Sequence, residues 1–147
     1  MACNSKCACN RKSTIDANFV ASQALAINDV FNFPNVTKTG TSVISNGFGL
    51  FTLNNPGLYL IIANVSGSGD AAGNIAIQLN KNGTLIPGTV QVANCTATTD
   101  IEQLSTSCIV DVPHSCSCIN NDAIITLVNS GIAATYTNGN IQIIKLA

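Results

Sequence analysis

The sequence predicts an all-β sandwich of about eight short antiparallel strands. Its 147 residues suffice for one domain with a substantial core, and its composition, 46% hydrophobic and 9% charged, excludes a disordered chain. Lys, Glu and Arg, which usually fill the exposed faces of helices, are scarce, and no segment keeps a helical apolar spacing. β-Branched residues and turn residues dominate instead, a combination that favours strands.

Turn signals divide the chain into apolar stretches of strand length. Gly47 and Gly49 predict a bend or bulge within one stretch, and Asn82-Gly83 is a strong signal for a tight hairpin. A further turn is predicted at Pro56-Gly57. In chain order the predicted strands are residues 17–27, 42–53, 58–68, 74–80, 84–93, 106–112, 123–129 and 140–147.

The third and the last of these stretches are apolar at both alternating sets of positions. A strand that is apolar on both faces of an antiparallel sandwich needs a cover on its outer side, and no helix is predicted that could supply one. The sparse charge of the chain points the same way. We therefore expect another copy of the chain to cover one sheet, with an interface at Tyr59, Ile61, Ile144 and Leu146.

The chain has seven cysteines, a high number for a reducing compartment. Cys108 is in phase with two valines and is interpreted either as a small buried hydrophobe or as an intrachain disulfide partner of Cys95. Because the total is odd, at least one cysteine stays unpaired within the chain. The candidates for disulfides between chains are Cys3, Cys7, Cys9, Cys95, Cys116 and Cys118.

No metal, cofactor or catalytic site is predicted. Zinc held by Cys7, Cys9, Cys116, Cys118 or His114 is a rival interpretation of the cysteines, but Cys-x-Cys is tighter than structural zinc sites use. His114 is the single histidine, and no nucleophile-elbow or phosphate-binding motif accompanies it. A net charge of −1 gives no basis for a nucleic-acid partner, and no apolar run is long enough to span a bilayer.

Three segments carry a resemblance to a known family. Residues 49–61, in which an aromatic-rich strand leads through a turn into Pro-Gly-x-Tyr, resemble the tumour necrosis factor and complement globular-head superfamily. Residues 24–35 and 141–147 are similar to the C-terminal domains of collagen-like glycoproteins of the Bacillus exosporium. The resemblance covers residues 17–147 and implies a jelly-roll β-sandwich that assembles as a tight homotrimer around an axis lined by its inner sheet.

The chain departs from those glycoproteins because it has no Gly-x-y stalk. Residues 1–16 form instead a polar, Cys-rich N-terminal connector arm before the predicted jelly-roll domain, residues 17–147. This plan is similar to that of endospore appendage subunits, and it implies a structural, non-enzymatic subunit of a disulfide-stabilised fibre on the spore surface. We expect no classical secretion signal, and an anchoring or tip protein as a further partner. The alternative is a trimeric recognition or adhesion head, or a fibre-tip module.

The implied chain path also predicts how trimers stack. Both termini lie at one end, the base, and the first twelve residues of the arm there are basic and free of acids. A positive base would face a negative top, which favours head-to-tail contact and therefore open filaments. Cys95, at the top, is the expected receiver for an arm thiol. The charged residues are Lys6, Arg11 and Lys12 in the arm, and Asp70, Asp100 and Glu102 in the top loops.

Overall fold

The computed structural model describes residues 12–114 and 122–147, and in this part of the chain every regular element is a strand. Accordingly, no helix long and apolar enough to cross a membrane is found among these residues. The strands are β1 Thr14–Phe19, β2 Gln23–Leu25, β3 Asn35–Thr39, β4 Val43–Ser45, β5 Phe51–Leu53, β6 Gly57–Gly69, β7 Gly73–Lys81, β8 Thr84–Leu85, β9 Gln91–Cys95, β10 Glu102–Val112, β11 Ala123–Asn129 and β12 Ala134–Lys145.

The strands form two antiparallel sheets packed face to face. Sheet A has the order β10-β6-β12-β1-β3, with β2 paired to the upper part of β12. Sheet B has the order β4-β5-β11-β7-β8, with β9 also paired to β7. All pairings are antiparallel, and the long strands β6, β10 and β12 form the centre and one margin of sheet A. This confirms the predicted all-β sandwich.

Several predicted strands are divided by the turns they contain. The first becomes β1 and β2, the fifth becomes β8 and β9, and the second becomes the β4–β5 hairpin. Gly49 in that hairpin has φ +76, and a Cβ there would lie 1.9 Å from the carbonyl oxygen of Phe31. The predicted bend at Gly47 and Gly49 is therefore a complete chain reversal, because glycine alone fits this close approach.

Strand β3 was not predicted, since its sequence carries no alternation. All five of its residues are exposed, and it pairs with β1 alone at the margin of sheet A. The hairpin at Asn82-Gly83, in contrast, is confirmed. Both residues have positive φ, 52° and 80°, as the favoured two-residue hairpin turn requires, and the Asn82 backbone N–H donates to Ile124 O at 2.8 Å.

The core lies between the inner faces of the two sheets. Tyr136 is fully buried, packs edge-on against Phe31 with ring centroids 4.6 Å apart, and donates its hydroxyl to Asn129 Oδ1 at 2.8 Å. Asn129, also fully buried, donates from Nδ2 to the carbonyl oxygens of Leu25, Ala26 and Ile132 at 3.1–3.2 Å. This buried network joins β11 and β12 to the loop after β2, so it fixes the upper half of the sandwich.

The two ends of the sandwich are defined by backbone hydrogen bonds. At the base, Lys145 N donates to Ser13 O at 2.8 Å and Leu58 N donates to Ala147 O at 3.2 Å, so the start of β1 and the end of β12 meet the turn before β6. At the top, Asp70 N donates to Ala133 O at 2.9 Å, and Gly73 pairs with Cys95. This arrangement agrees with the chain path that the resemblance implies.

The boundary between arm and domain needs a correction. Strand β1 begins at Thr14, which pairs with Ile144 on one side and Thr39 on the other. Residues 14–16 therefore belong to sheet A and not to the arm, because their backbone groups complete the ladders with β12 and β3. From the sequence they were assigned to the arm, because Ile15 is the only apolar residue among them.

Candidate assembly surface

The lower half of the outer face of sheet A carries an apolar cluster on β6, β10 and β12, and polar side chains border it at Gln142, Ser107 and Asp111. Strand register places Ile144 beside Leu60, and Leu60 beside Ile109, at one height across β12, β6 and β10. Exposed fractions of 60% for Ile109 and 51% for Leu146 are high for side chains of this size. We call this surface the basal patch; its residues are Leu58, Leu60, Ile62, Ile109, Ile144 and Leu146.

The structure corrects two of the four predicted interface residues. Ile144 and Leu146 point outward within the basal patch, but Tyr59 and Ile61 are fully buried in the core. The alternation along β6 and β12 was recognised, yet the two strands were placed out of phase with each other. Register pairs Ile61 with Ile143 and Leu60 with Ile144, so Tyr59 and Ile61 cannot contact a second copy.

A second exposed apolar surface follows the neighbouring edge of the sandwich. Leu85, Val90 and Val92 are 41%, 42% and 57% exposed, and they lie on or between β8 and β9, at the edge of sheet B that packs beside β10. We call these three residues the lateral patch. Register pairs Leu85 with Asn80 and Val92 with Ala76, so these side chains face the outer side of sheet B near its edge. The basal and lateral patches are therefore unlike surfaces that belong to different sheets.

Above the basal patch a row of amide and hydroxyl side chains crosses sheet A. Strand register sets its members at one height. Asn35 Nδ2 donates to Asn18 Oδ1 at 3.1 Å, Asn64 Nδ2 donates to Asn140 Oδ1 at 3.1 Å, and Ser105 Oγ donates to Asn64 Oδ1 at 2.7 Å. We call this the asparagine row; its members are Asn35, Asn18, Asn140, Asn64 and Ser105.

A groove of about 490 Å³ opens over the asparagine row. Its walls include Val20, which is 77% exposed, together with Gln103 and Asn138. The register of β12 against β6 shifts between Tyr136 and Asn138 beside this groove. Gly139 faces the core, where a Cβ would lie 2.7 Å from Phe19 and 2.8 Å from Val65. The upper half of this sheet face is therefore recessed and carries the asparagine row, whereas the apolar cluster lies in the lower half.

Neither cysteine in the described residues forms a disulfide. Cys95 lies at the top as predicted, but it is only 1% exposed, and its thiol contacts the carbonyl oxygen of Asp100 at 3.7 Å. Cys108 points inward from β10, partly buried beside the core, so the expected pairing of these two residues is not formed. The other cysteines, Cys3, Cys7, Cys9, Cys116 and Cys118, lie outside the described residues.

Burial sets the chemistry of the described thiols. It raises the pKa of Cys108 above its ordinary value, so the thiol stays protonated and weakly nucleophilic at neutral pH. Cys95 is closed off by the turn over residues 96–100, in which Asp100 accepts hydrogen bonds from Thr96 and Ala97. Disulfide formation at Cys95 therefore requires this turn to open.

Charge is distributed unequally between the two ends. The four described lysines, Lys12, Lys38, Lys81 and Lys145, all lie in the lower half. The predicted acids Asp70, Asp100 and Glu102 lie at the top together with Asp29, whereas Asp111 and Asp122 lie at the base and Asp16 near mid-height. Lys6 and Arg11 fall outside the described residues.

The top acids also hold their own loops. Asp70 Oδ1 accepts from Thr135 Oγ1 at 2.9 Å. Hydrogen bonds from Thr96, and then from the Ala97 backbone, lower the pKa of Asp100 below its ordinary value, so this carboxylate remains charged in mild acid. Asp70 and Asp100 therefore add negative charge to the top while also stabilising the loops that carry them.

Among residues 12–114 and 122–147 no group of three or more His, Cys, Asp or Glu is placed to hold a metal ion. His114 follows the end of β10 at the base and is exposed.

Sequence reasoning missed the asparagine row and one exposed aromatic residue. Phe48 is 77% exposed at the tip of the β4–β5 hairpin, where its N–H donates to Asn46 Oδ1 at 3.1 Å. The row members lie far apart in a sequence rich in Asn, so only strand register reveals their alignment. The Asn-Gly-Phe-Gly order was the available signal for Phe48.

Comparisons with known proteins agree with this architecture. No protein-family model and no curated protein matches the sequence. Among solved structures, the globular domain of zebrafish complement 1qA aligns with a TM-score of 0.63 at 9% identity, covering 91% of this chain and 97% of that one. Murine APRIL aligns with a TM-score of 0.64 at 12% identity, covering 92% and 100%. Vertex protein P5 of PRD1 aligns with a TM-score of 0.52 at 18% identity, covering 92% and 97%.

At these identities the likeness establishes the fold alone. Two antiparallel sheets and near-complete coverage of each neighbour show that the chain folds as a jelly roll, similar to the complement 1qA globular domain and to APRIL.

Proposed function

We propose that this chain is a structural, non-enzymatic protein whose copies form a homotrimer and stack head-to-tail into a disulfide-stabilised fibre on the endospore surface. The basal patch carries the proposal. It is a contiguous apolar area on a sheet face that no other part of the described chain covers. Burial of such a surface between copies removes it from water and supplies the main driving force for association.

The position of the lateral patch supports a closed ring. When the basal patch of one copy receives the lateral edge of the next, each contact joins two unlike surfaces, and such contacts close into a ring if the rotation permits. Three copies is the number that the resemblance to the tumour necrosis factor and complement globular-head superfamily implies. The arrangement uses the basal and the lateral patch at once.

Charge supports stacking along the ring axis. The top carries Asp29, Asp70, Asp100 and Glu102, whereas the described lysines lie in the lower half. Asp111 and Asp122 offset part of the positive charge at the base, so the net negative charge of the top is the stronger contribution. Association multiplies this charge, which makes contact between two tops repulsive and favours contact between top and base. The basic, Cys-rich arm precedes β1 at the base, where it can reach a neighbouring disc.

The cellular role rests on the resemblance. Residues 24–35 and 141–147 are similar to the exosporium glycoproteins, and the arm with Cys3, Cys7 and Cys9 is similar in plan to that of endospore appendage subunits. Disulfides from the arm would convert dissociation of the fibre into a covalent step. An anchoring or tip protein on the spore would complete the assembly.

Ile144→Asp tests the trimer. A carboxylate in the covered basal patch would be buried without a partner. An unpaired buried charge of this kind destabilises an interface by roughly several kcal/mol. In sedimentation velocity at micromolar concentration, with residues 2–12 deleted, we expect wild type to sediment as a trimer and the variant as a monomer.

Ile124→Asp is the matched control, since Ile124 is 38% exposed on sheet B, away from the basal patch. It should leave the trimer intact. A monomeric wild type, or an unaffected Ile144→Asp protein, would contradict the proposal.

A recognition head is the second candidate, and Phe48 is the observation that favours it. The hairpin presents this aromatic side chain to solvent at its tip, where it could serve as an anchor for a partner. Labelled trimers carrying Phe48→Ala would then lose binding to the target surface while still assembling into fibres. Fibres of normal length without any surface binding by wild type would exclude this candidate.

A further inference from the structure

The two central members of the asparagine row carry amide groups with unused donors. Asn18 and Asn140 pair across β1 and β12, and each accepts at Oδ1 from its outer neighbour in the row, Asn35 or Asn64. Both Oδ1 atoms are thereby occupied from opposite directions, and within the described residues neither Nδ2 group donates a hydrogen bond. Two adjacent donors therefore lie at the floor of the groove.

These donors need acceptors once the sheet face is covered. Both side chains are half-buried in the single chain, and the groove over them is lined by uncharged polar and apolar groups, with no charged side chain. A donor that loses water without gaining an acceptor destabilises an interface. The partner surface must therefore bring acceptors to this height.

Acceptors of this kind lie on β10, at the margin of sheet A. Ser105 belongs to the same row, and Gln103 lies two residues nearer the top; both are exposed, and both line the groove from its β10 side. The Ser105 hydroxyl donates to Asn64 and keeps its lone pairs, and Gln103 carries an amide oxygen.

Ring symmetry brings the donors and acceptors together. The proposed ring places the lateral edge against sheet A of the neighbouring copy, and β10 packs beside β9 at that edge. If the ring axis is parallel to the strands, rotation keeps every residue at its own height, so the row of one copy meets the β10 margin of the next at one level. Resting on the trimer proposed above, we propose that Asn18 and Asn140 bind the Ser105–Gln103 margin of a second copy and thereby fix the vertical register between copies. The basal patch could not do this alone, because apolar contact is not directional.

Asn140→Asp tests the proposal with little change of shape. The new carboxylate keeps an oxygen that accepts from Asn64, but it replaces the free donor with an acceptor that repels the oxygens of the neighbouring copy. We expect the association constant of the trimer to fall about tenfold or more, measured by sedimentation across a dilution series.

Asn74→Asp is the matched control. Asn74 Oδ1 likewise accepts from an asparagine, Asn94, at 2.9 Å, and it lies exposed on sheet B. The same isosteric change and the same added charge there should leave the association constant within about threefold of wild type.

A mixing experiment distinguishes contact between copies from a change within one chain. Gln103→Lys places a cation on the β10 margin, so Asn140→Asp copies mixed with Gln103→Lys copies should regain trimers that the first variant alone has lost. Restored association is the expected result. Wild-type association by Asn140→Asp, equal losses with Asn74→Asp, or the absence of rescue would each overturn the register role.

The two proposals fail in different ways. A normal trimer in Asn140→Asp together with a monomer in Ile144→Asp rejects the register element and keeps the ring. A monomeric wild type, or a trimer that survives Ile144→Asp, rejects the ring, and with it the register role.

Discussion

Two buried tyrosines, Tyr136 and Tyr59, each make a hydrogen bond inside this sandwich. Tyr136 is fully buried, and its hydroxyl reaches an asparagine that itself bonds three backbone carbonyls. Tyr59, at the base, donates to Asn55 O at 2.7 Å. Burial raises the pKa of both phenols above their ordinary value of 10, because the charged form would lose its hydration.

Tyr136→Phe should destabilise the fold by about 1–3 kcal/mol, since Asn129 Oδ1 would be left buried without its donor. Denaturant unfolding of the arm-deleted protein measures the change. Tyr59→Phe is the comparison, and we expect a smaller loss because Asn55 O is only partly buried. An equal or greater loss in Tyr59→Phe would contradict the importance assigned to the Asn129 network.

Alkaline pH gives an independent test of the same residue. A folded-state pKa that is raised above its unfolded value contributes stability that is complete below the unfolded value and is lost as pH rises toward the folded one. The free energy of unfolding should therefore decrease with pH above about 10, the ordinary pKa of tyrosine. In Tyr136→Phe, the free energy of unfolding should decrease less steeply with pH over this range. An unchanged slope would show that the Tyr136 phenol does not cause the pH dependence.

At the scale of elements, the turns determine which strands can form. Gly49 and Gly47 occupy the same hairpin with φ of +76 and +86, yet only Gly49 is enclosed, by the backbone of Phe31. Nothing lies within 4 Å of a Cβ placed at Gly47. Substitutions at the two positions therefore distinguish the cost of backbone strain, present at both, from the cost of a steric clash, present only at Gly49.

Gly49→Ala should cost about 3 kcal/mol or more, because the new methyl group overlaps a carbonyl oxygen and the β4–β5 hairpin must shift. Gly47→Ala should cost about 1 kcal/mol, the strain of positive φ alone. Thermal unfolding of both variants provides the measurement. Similar losses of stability in the two variants would show that the close approach of Gly49 to Phe31 does not add to the cost of the substitution.

At the scale of the whole molecule, the arm and the charged ends should govern polymerisation but not trimerisation. Deletion of residues 2–12 removes the arm and leaves β1 intact. We expect trimers to persist and filaments to disappear in negative-stain electron microscopy. Filaments of normal length from the truncated protein would contradict stacking through the arm.

Reductant should separate the covalent from the non-covalent contribution to the fibre. If arm cysteines bridge neighbouring copies, non-reducing gels should show ladders above the monomer, and resistance to heat should fall when reductant is added, by about 2–4 kcal/mol for each bridge. Cys108→Ser should preserve the ladder, since its inward-facing thiol is partly buried and protonated. A single monomer band from material never reduced would exclude bridges.

The sequence by itself determined the class of fold, the positions of most turns and the apolar character of both faces of β6. These follow from local rules, since alternation and turn chemistry act between neighbouring residues. Asn82-Gly83 was predicted correctly because two adjacent residues specify that turn.

The tertiary structure decided which residues form the candidate interface. Outward and inward positions on β6 and β12 look alike in the sequence, and only the register between the strands places Tyr59 and Ile61 in the core and Ile144 in the basal patch. The asparagine row likewise exists only in register, because its members come from five separate strands. A one-residue slip moves a whole strand's side chains to the opposite face, so pairing between distant strands carries information that no local pattern holds.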